Sequence, residues 1–468
     1  MVQSKLISLF KTLSTAERRR LKKWVNSPIH NFDYRISKFY DFLDTRKGYS
    51  ERSLRREKVY AAIFEKEAFD DLKLRRIMSE FLGVLERFLA HETWQNNPAE
   101  QWLTLAKAYR QRQLSSDATA YLTKAELTLN EQPLRDSQYY LNQYRLQEER
   151  LAQNSARDSS LNLQEMTNEL VNFFVVELLR NACSAASHTA VYKVDYQLPY
   201  LEAVLANCAA GGYKHVPLIQ LYYHSYCCLS EPTASEHFFA YKMLVYEAGQ
   251  WLSVTDFRDV LLFGVNYCIR RMNTGELAFL REAFDLYQLG LKQETFLENG
   301  ILSRFTYKNI VAIGLNLNET LWVKQFLESY TPLLAQAFRD HYGRFCRAKL
   351  AYHEGNYDQV RTLLYDLAFE DVLLELNARL LLLKVYFETA EWRLLEGFLT
   401  TFERFVSRKK TLAYHAPNYR NIIQYASKLM LWKTGKRNFS EEELESLRTQ
   451  ISAAKPLTER EWLLEMAQ

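Results

Sequence analysis

The side chains best placed for chemistry are His215, His224, Cys227, Cys228 and His237. On a helix beginning near Pro217, His224 precedes Cys227 and Cys228 by three and four residues, so imidazole and thiols share a face from which a metal could be held. Structural zinc sites use tighter ligand pairs than this. Small core cysteines with histidines at turns or at the surface explain the same residues, and no metal or other cofactor is expected. A phosphate loop needs several glycines before a Lys-Ser or Lys-Thr. The nearest string, "KTGKRN" at 433–438, has one glycine and no hydroxyl after Lys436. GxSxG, HExxH and paired-glycine fingerprints are also missing, so the sequence points away from an enzyme of a familiar motif class.

Charge offers a second kind of chemistry. Residues 1–60 hold 15 Lys or Arg against 6 Asp or Glu, while the remainder holds 45 against 50. The string "ERRRLKKW" at 17–24 carries Arg18, Arg19, Arg20, Lys22 and Lys23, which at 100° per residue cover one side of a helix whose other side presents Leu21, Trp24 and Val25. In "RSLRREK" at 52–58, Arg52, Arg55 and Arg56 form another basic face. Such faces could contact phosphates or an acidic protein, or form the solvated cap that a repeat array needs. The cap is favoured over nucleic acid, because no recognition-helix signature or base-stacking aromatic pattern accompanies the charge. The acidic run "FSEEELESL" at 439–447 has a structural explanation: Ser440 caps a helix whose first turn carries Glu441, Glu442 and Glu443, where the macrodipole favours anions.

The elements that must carry these residues are helices. Gly (14) and Pro (9) are scarce in 468 residues, and long stretches are filled by good helix formers, which predicts an all-α chain. The 65 or so aromatics suit bulky packing between stacked helices. Ser14 followed by Glu17 is a capping-box pattern and predicts a helix from about Thr15 to Asn26, stopped by "SPIHN" because Pro28 forces Ser27 out of helical geometry. "NNP" at 96–98 marks the clearest boundary, dividing a basic N-terminal helical domain at 1–97 from residues 98–468. Pro133, Pro199, Pro217, Pro232 and Pro417 fall near turns or first-turn positions, and "AQNSARDSS" at 152–160 reads as a loop. No convincing strand is seen.

Cys183, Cys208, Cys227, Cys228, Cys268 and Cys346 are irregularly spaced, which favours a reducing compartment. The opening "MVQSKLISLFKTLS" lacks the unbroken apolar region of a signal peptide. The apolar run "LVNFFVVELL" at 170–179 is far short of a bilayer span. A soluble, cytoplasmic protein without membrane contact is expected.

The most specific pattern lies at 307–405. Trp322, Tyr357 and Trp392 are spaced by 35 residues, and Val311, Cys346 and Leu381, then Leu315, Leu350 and Val385, keep step. A supersecondary unit is repeating. Each unit reads as a helix, a tight turn, and a second helix whose first turn offers an aromatic back to its partner, with Ala390 replacing Gly355 in the second. The string "AYHEGNYDQV" resembles the middle of a tetratricopeptide repeat, although Arg347 stands where that family has a large apolar residue. The resemblance implies a right-handed α-solenoid of stacked helical hairpins, a concave groove lined by Lys349, Tyr352, His353, Lys384 and Glu388, a protein or peptide partner, and no catalytic residues. The expected function is therefore a non-catalytic binding scaffold. The alternative is a nucleic-acid-associated regulator whose basic N-terminus grips phosphate while the repeats sense a protein.

Overall fold

A computed structural model of the chain describes residues 1–46, 48–65, 67–153, 162–231, 233, 235–365, 371–408 and 416–468. Its contacts divide it into two compact units, Met1–Leu178 and Leu179–Gln468.

The first unit contains α1 (Lys5–Thr12), α2 (Thr15–Val25), α3 (Tyr34–Asp44), α4 (Arg56–Phe64), α5 (Asp71–Gln95), α6 (Pro98–Gln111), α7 (Ser115–Glu131) and α8 (Ser137–Gln153), and α9 (Leu163–Tyr192) begins in it. α2 starts where the capping box places it: Glu17 N–H donates to the Ser14 hydroxyl at 3.2 Å and Ser14 N–H donates to the Glu17 carboxylate at 2.7 Å. Asn97 caps α6, with Pro98 at the first helical position. One core cluster is built from residues between Leu6 and Phe88 and a second from residues between Ala99 and Leu146, both within this unit. Ala152 and Gln153 of the expected 152–160 loop end α8; the rest of that segment, and Pro232, lie outside the described residues.

The second unit contains α10 (Leu201–Ala209), α11 (Pro217–Ser230), α12 (Ser235–Ala248), α13 (Val254–Asn273), α14 (Phe279–Lys292), α15 (Arg304–Asn316), α16 (Thr320–Tyr330), α17 (Gln336–His353), α18 (Tyr357–Leu364), α19 (Val372–Glu388), α20 (Trp392–Arg408), α21 (Ala416–Lys433), α22 (Glu441–Ala453) and α23 (Arg460–Met466). Among the described residues the fold is all-helical apart from one hairpin of two-residue strands, β1 (Leu297–Glu298) and β2 (Ile301–Leu302). The sequence reading missed that hairpin, because two residues are too few to show alternation. Helices pack in neighbouring pairs, α11 with α12, α13 with α14, α17 with α18 and α19 with α20, while α17 also touches both α15 and α19. Gly264 lets α12 approach α13 closely, since a Cβ there would overlap the Tyr241 ring.

The 35-residue period has a direct structural expression. Val311, Cys346 and Leu381 are buried, as are Leu315, Leu350 and Val385. The turn after α17 closes with Asn356 N–H donating to Ala351 C=O at 2.8 Å, with Gly355 at φ +73. The turn after α19 repeats it 35 residues later: Glu391 N–H donates to Tyr386 C=O at 3.0 Å, with Ala390 at φ +54. This is the left-handed C-terminal cap that satisfies the last carbonyls of a helix. The aromatics that open the following helices turn back as expected, Tyr357 onto Tyr352 at 6.0 Å between ring centroids and Trp392 onto Phe387 at 5.3 Å. Arg347, the departure from the apolar pattern, is exposed.

Candidate functional site

Within the second unit, α17 and α19 form two walls of a cavity of about 610 Å³. The hydroxyl of Tyr342 on α17 donates to the Asp371 carboxylate at 2.6 Å, and Asp371 in turn caps α19 by accepting from Leu373 N–H at 3.0 Å and Leu374 N–H at 3.2 Å. One carboxylate therefore both starts α19 and ties it to α17. Lys349, Tyr352 and His353 line the cavity from α17, and Lys384 lines it from α19. Glu388 lies one turn beyond Lys384 and meets Tyr352, whose hydroxyl donates to it.

The third wall comes from residues 458–465, chiefly Glu459, Glu461, Trp462 and Glu465. Buried Asn418 fixes the approach to α23, accepting from Thr458 N–H at 2.8 Å and donating to its hydroxyl at 3.1 Å. Leu463 and Ala467 are buried in the core formed with α19 to α22, while Trp462 turns toward α19, 5.6 Å from the Phe387 ring. The sequence reading did not place α23 here. Repeat spacing carries no information about where a helix outside the repeats docks, and the only available signal was the amphipathic order of Trp462, Leu463, Met466 and Ala467.

Partners divide the charges in and beside the cavity into two sets, Glu388 lying outside its lining. Lys384 pairs with Glu459 at 2.9 Å and lies between the rings of Tyr352 and Trp462, at 5.3 and 5.4 Å. Glu388 accepts from Tyr352, from the Tyr357 hydroxyl at 2.8 Å and from the Trp462 indole N–H at 2.7 Å. Burial, and then the Glu388 carboxylate, push the Tyr352 phenol well above its ordinary range; at Tyr357 the hydrogen bond to Glu388 leads, raising it to about 12. Lys349, His353, Glu461 and Glu465 have no hydrogen-bond or ion-pair partner among the described residues. Lys349 is half-buried, and loss of hydration holds its ammonium below the usual lysine pKa.

The basic residues of the first unit are arranged otherwise. Arg20 forms a side-chain pair with Glu92, Lys22 with Asp41 at 3.2 Å, Arg56 with Asp71, and Arg55 approaches Glu57 at 4.0 Å. Arg18 departs from the solvated face expected for it: it is half-buried, its guanidinium over the Phe10 ring at 5.1 Å and the Tyr49 ring at 5.9 Å. An arginine stem packs well on aromatic faces, and that contact outweighs full hydration. Arg19, Lys23 and Arg52 are exposed and have no ion-pair partner among the described residues.

The histidine and cysteine group does not converge. His224 and His237 meet through their Nδ1 atoms at 2.9 Å, so one imidazole donates and the other accepts, while His215 is exposed and Cys228 is buried. Among the described residues no three His, Cys, Asp or Glu side chains are grouped to hold a metal ion. Burial raises the thiols of Cys208 and Cys227 to about 11 and those of Cys228 and Cys346 to about 12. A nucleophilic cysteine requires the opposite shift. Among the described residues no helix is long and apolar enough to cross a membrane.

No protein-family profile, curated protein or solved structure matches the chain.

Proposed function

We propose that the chain is a non-catalytic scaffold that binds a protein or peptide in the groove between the first helices of its hairpins, in the manner of a right-handed tetratricopeptide-like solenoid. The observation that carries this reading is the cavity where Lys349, Tyr352, His353 and Lys384 converge. These are residues that the resemblance to a tetratricopeptide repeat assigns to a groove, and two of them, Lys349 and His353, have no hydrogen-bond or ion-pair partner among the described residues. Binding is favoured over reaction because no catalytic motif of a familiar class accompanies these residues in the sequence. Cytoplasmic residence accords with six unpaired cysteines.

The alternative of a phosphate-gripping N-terminus is weakened by the carboxylates already paired with Arg20, Lys22 and Arg56. Among the eight candidate side chains only Arg19, Lys23 and Arg52 are exposed without an ion pair among the described residues, fewer contacts than those from which strong salt-dependent binding is built. Affinity capture of the tagged full-length chain from its own cells, with and without nuclease, tests the choice. A defined protein retained after nuclease is expected. Capture that disappears with nuclease would overturn the scaffold reading and favour the alternative.

A further inference from the structure

We infer that the cavity between α17, α19 and α23 takes a bipolar peptide segment, with a carboxylate against Lys349 and His353 and a basic side chain against Glu461 and Glu465. This rests on the binding reading above and specifies the chemistry of the partner.

Elsewhere in the same unit several cationic side chains are satisfied by a neighbouring segment: Lys242 pairs with Glu282, Arg361 with Glu391 and Lys436 with Glu396, and Arg270 donates to Leu229 C=O at 2.9 Å. In the cavity itself Lys384 and Glu459 do the same. Lys349 does not. Its ammonium is partly stripped of water and receives no hydrogen-bonding partner in return, an arrangement that destabilises the folded chain. A lysine kept in that condition on a cavity wall is completed by a carboxylate from outside. His353, one turn further along α17, extends the same wall.

The opposite wall has the opposite sign. Glu461 and Glu465 are one turn apart on α23, both exposed and both without a hydrogen-bond or ion-pair partner for the side chain among the described residues, although they line the same cavity as Lys349. A purely anionic ligand would meet repulsion from α23, and a purely cationic one from α17; opposing fields of this kind discriminate by charge order. Phe345, Leu380 and Leu381 supply apolar surface between the two walls for aliphatic side-chain stems. A volume of about 610 Å³ lies within the usual range for ligand pockets, roughly 300 to 1,000 Å³.

Selection of a random-sequence displayed peptide library on the immobilised full-length chain tests this. Enriched peptides are expected to carry Asp or Glu together with Lys or Arg a few residues away. Lys349→Met should weaken their binding about tenfold or more, and Glu461→Lys with Glu465→Lys should move the selection toward purely acidic peptides. A thermal midpoint of Lys349→Met at or above that of the unaltered chain would show that lost binding is not lost folding. Peptides without charge bias, or binding that survives Lys349→Met, would overturn this assignment and leave the scaffold reading standing. No enrichment at all on the full chain would overturn both.

Discussion

The Trp462 indole N–H donates to the Glu388 carboxylate at 2.7 Å, joining residues 74 positions apart. Glu388 also accepts from Tyr352 and Tyr357, so one carboxylate gathers donors from α17, α18 and α23 at the end of α19. Hydrogen bonds to an ionised acceptor are the stronger kind. The side chain that the resemblance assigns to the groove is thus a junction that holds the third wall in place.

Replacing Trp462 separates the hydrogen bond from the packing. Trp462→Phe keeps the ring contact with Phe387 and removes one donor, and should cost about 1.5–3 kcal/mol. Trp462→Ala also empties a buried site and should cost about 3–5 kcal/mol. Urea unfolding followed by circular dichroism measures both. A Trp462→Phe variant as stable as the unaltered chain would mean that the hydrogen bond contributes nothing, and equal losses for the two variants would mean that the ring packing adds nothing.

Ala390 and Gly355 make a paired prediction about the repeat turn. Both residues adopt positive φ at matching positions, but only glycine does so without a steric penalty. Ala390→Gly should therefore stabilise the chain by about 1 kcal/mol, against the usual cost of introducing glycine, and Gly355→Ala should destabilise it by a similar amount. Nothing lies within 4 Å of a Cβ built at Gly355, so the cost there is conformational and not a clash. Denaturation midpoints that move in the same direction for both variants would contradict the shared turn.

His224 should make stability pH-dependent in mildly acidic solution. Burial, and then the neighbouring His237, lower its pKa from 6.5 to about 4. Between those values the unfolded chain binds a proton that the folded chain does not, so the contribution of this group is complete above about pH 6.5 and declines as the pH falls toward 4. Comparing unfolding free energies of the unaltered chain and His224→Asn across that range cancels the carboxylates common to both. The unaltered chain should lose more stability on acidification, and proton NMR should place the His224 midpoint near 4. A midpoint near 6.5 would contradict the buried imidazole pair.

Local signals in the sequence carry much of this fold. The Ser14 and Glu17 capping box and Pro98 at the start of α6 appear where short-range rules put them, because their partners lie within a few residues. The 35-residue period is legible for the same reason, since each turn is closed by a bond spanning five residues. What could not be read is long-range. Arg20 finds Glu92 across 72 residues and Arg56 finds Asp71 across 15, so a basic face that looks free in the sequence is partly neutralised in the fold. Arg18 follows the same logic, since Phe10 and Tyr49 reach it from separate segments. The groove candidates could be named through the resemblance to a tetratricopeptide repeat, but which of them are already paired depends on α23, whose position no repeat specifies.

The most direct measurement is calorimetric titration of the protein partner retained after nuclease treatment into the full-length chain and into Lys349→Met. The account predicts binding to the unaltered chain that weakens about tenfold or more in the variant, whose thermal midpoint is equal or higher because a poorly hydrated, unpaired charge has been removed. Equal affinity for the two proteins would contradict the claim that this groove is the binding site.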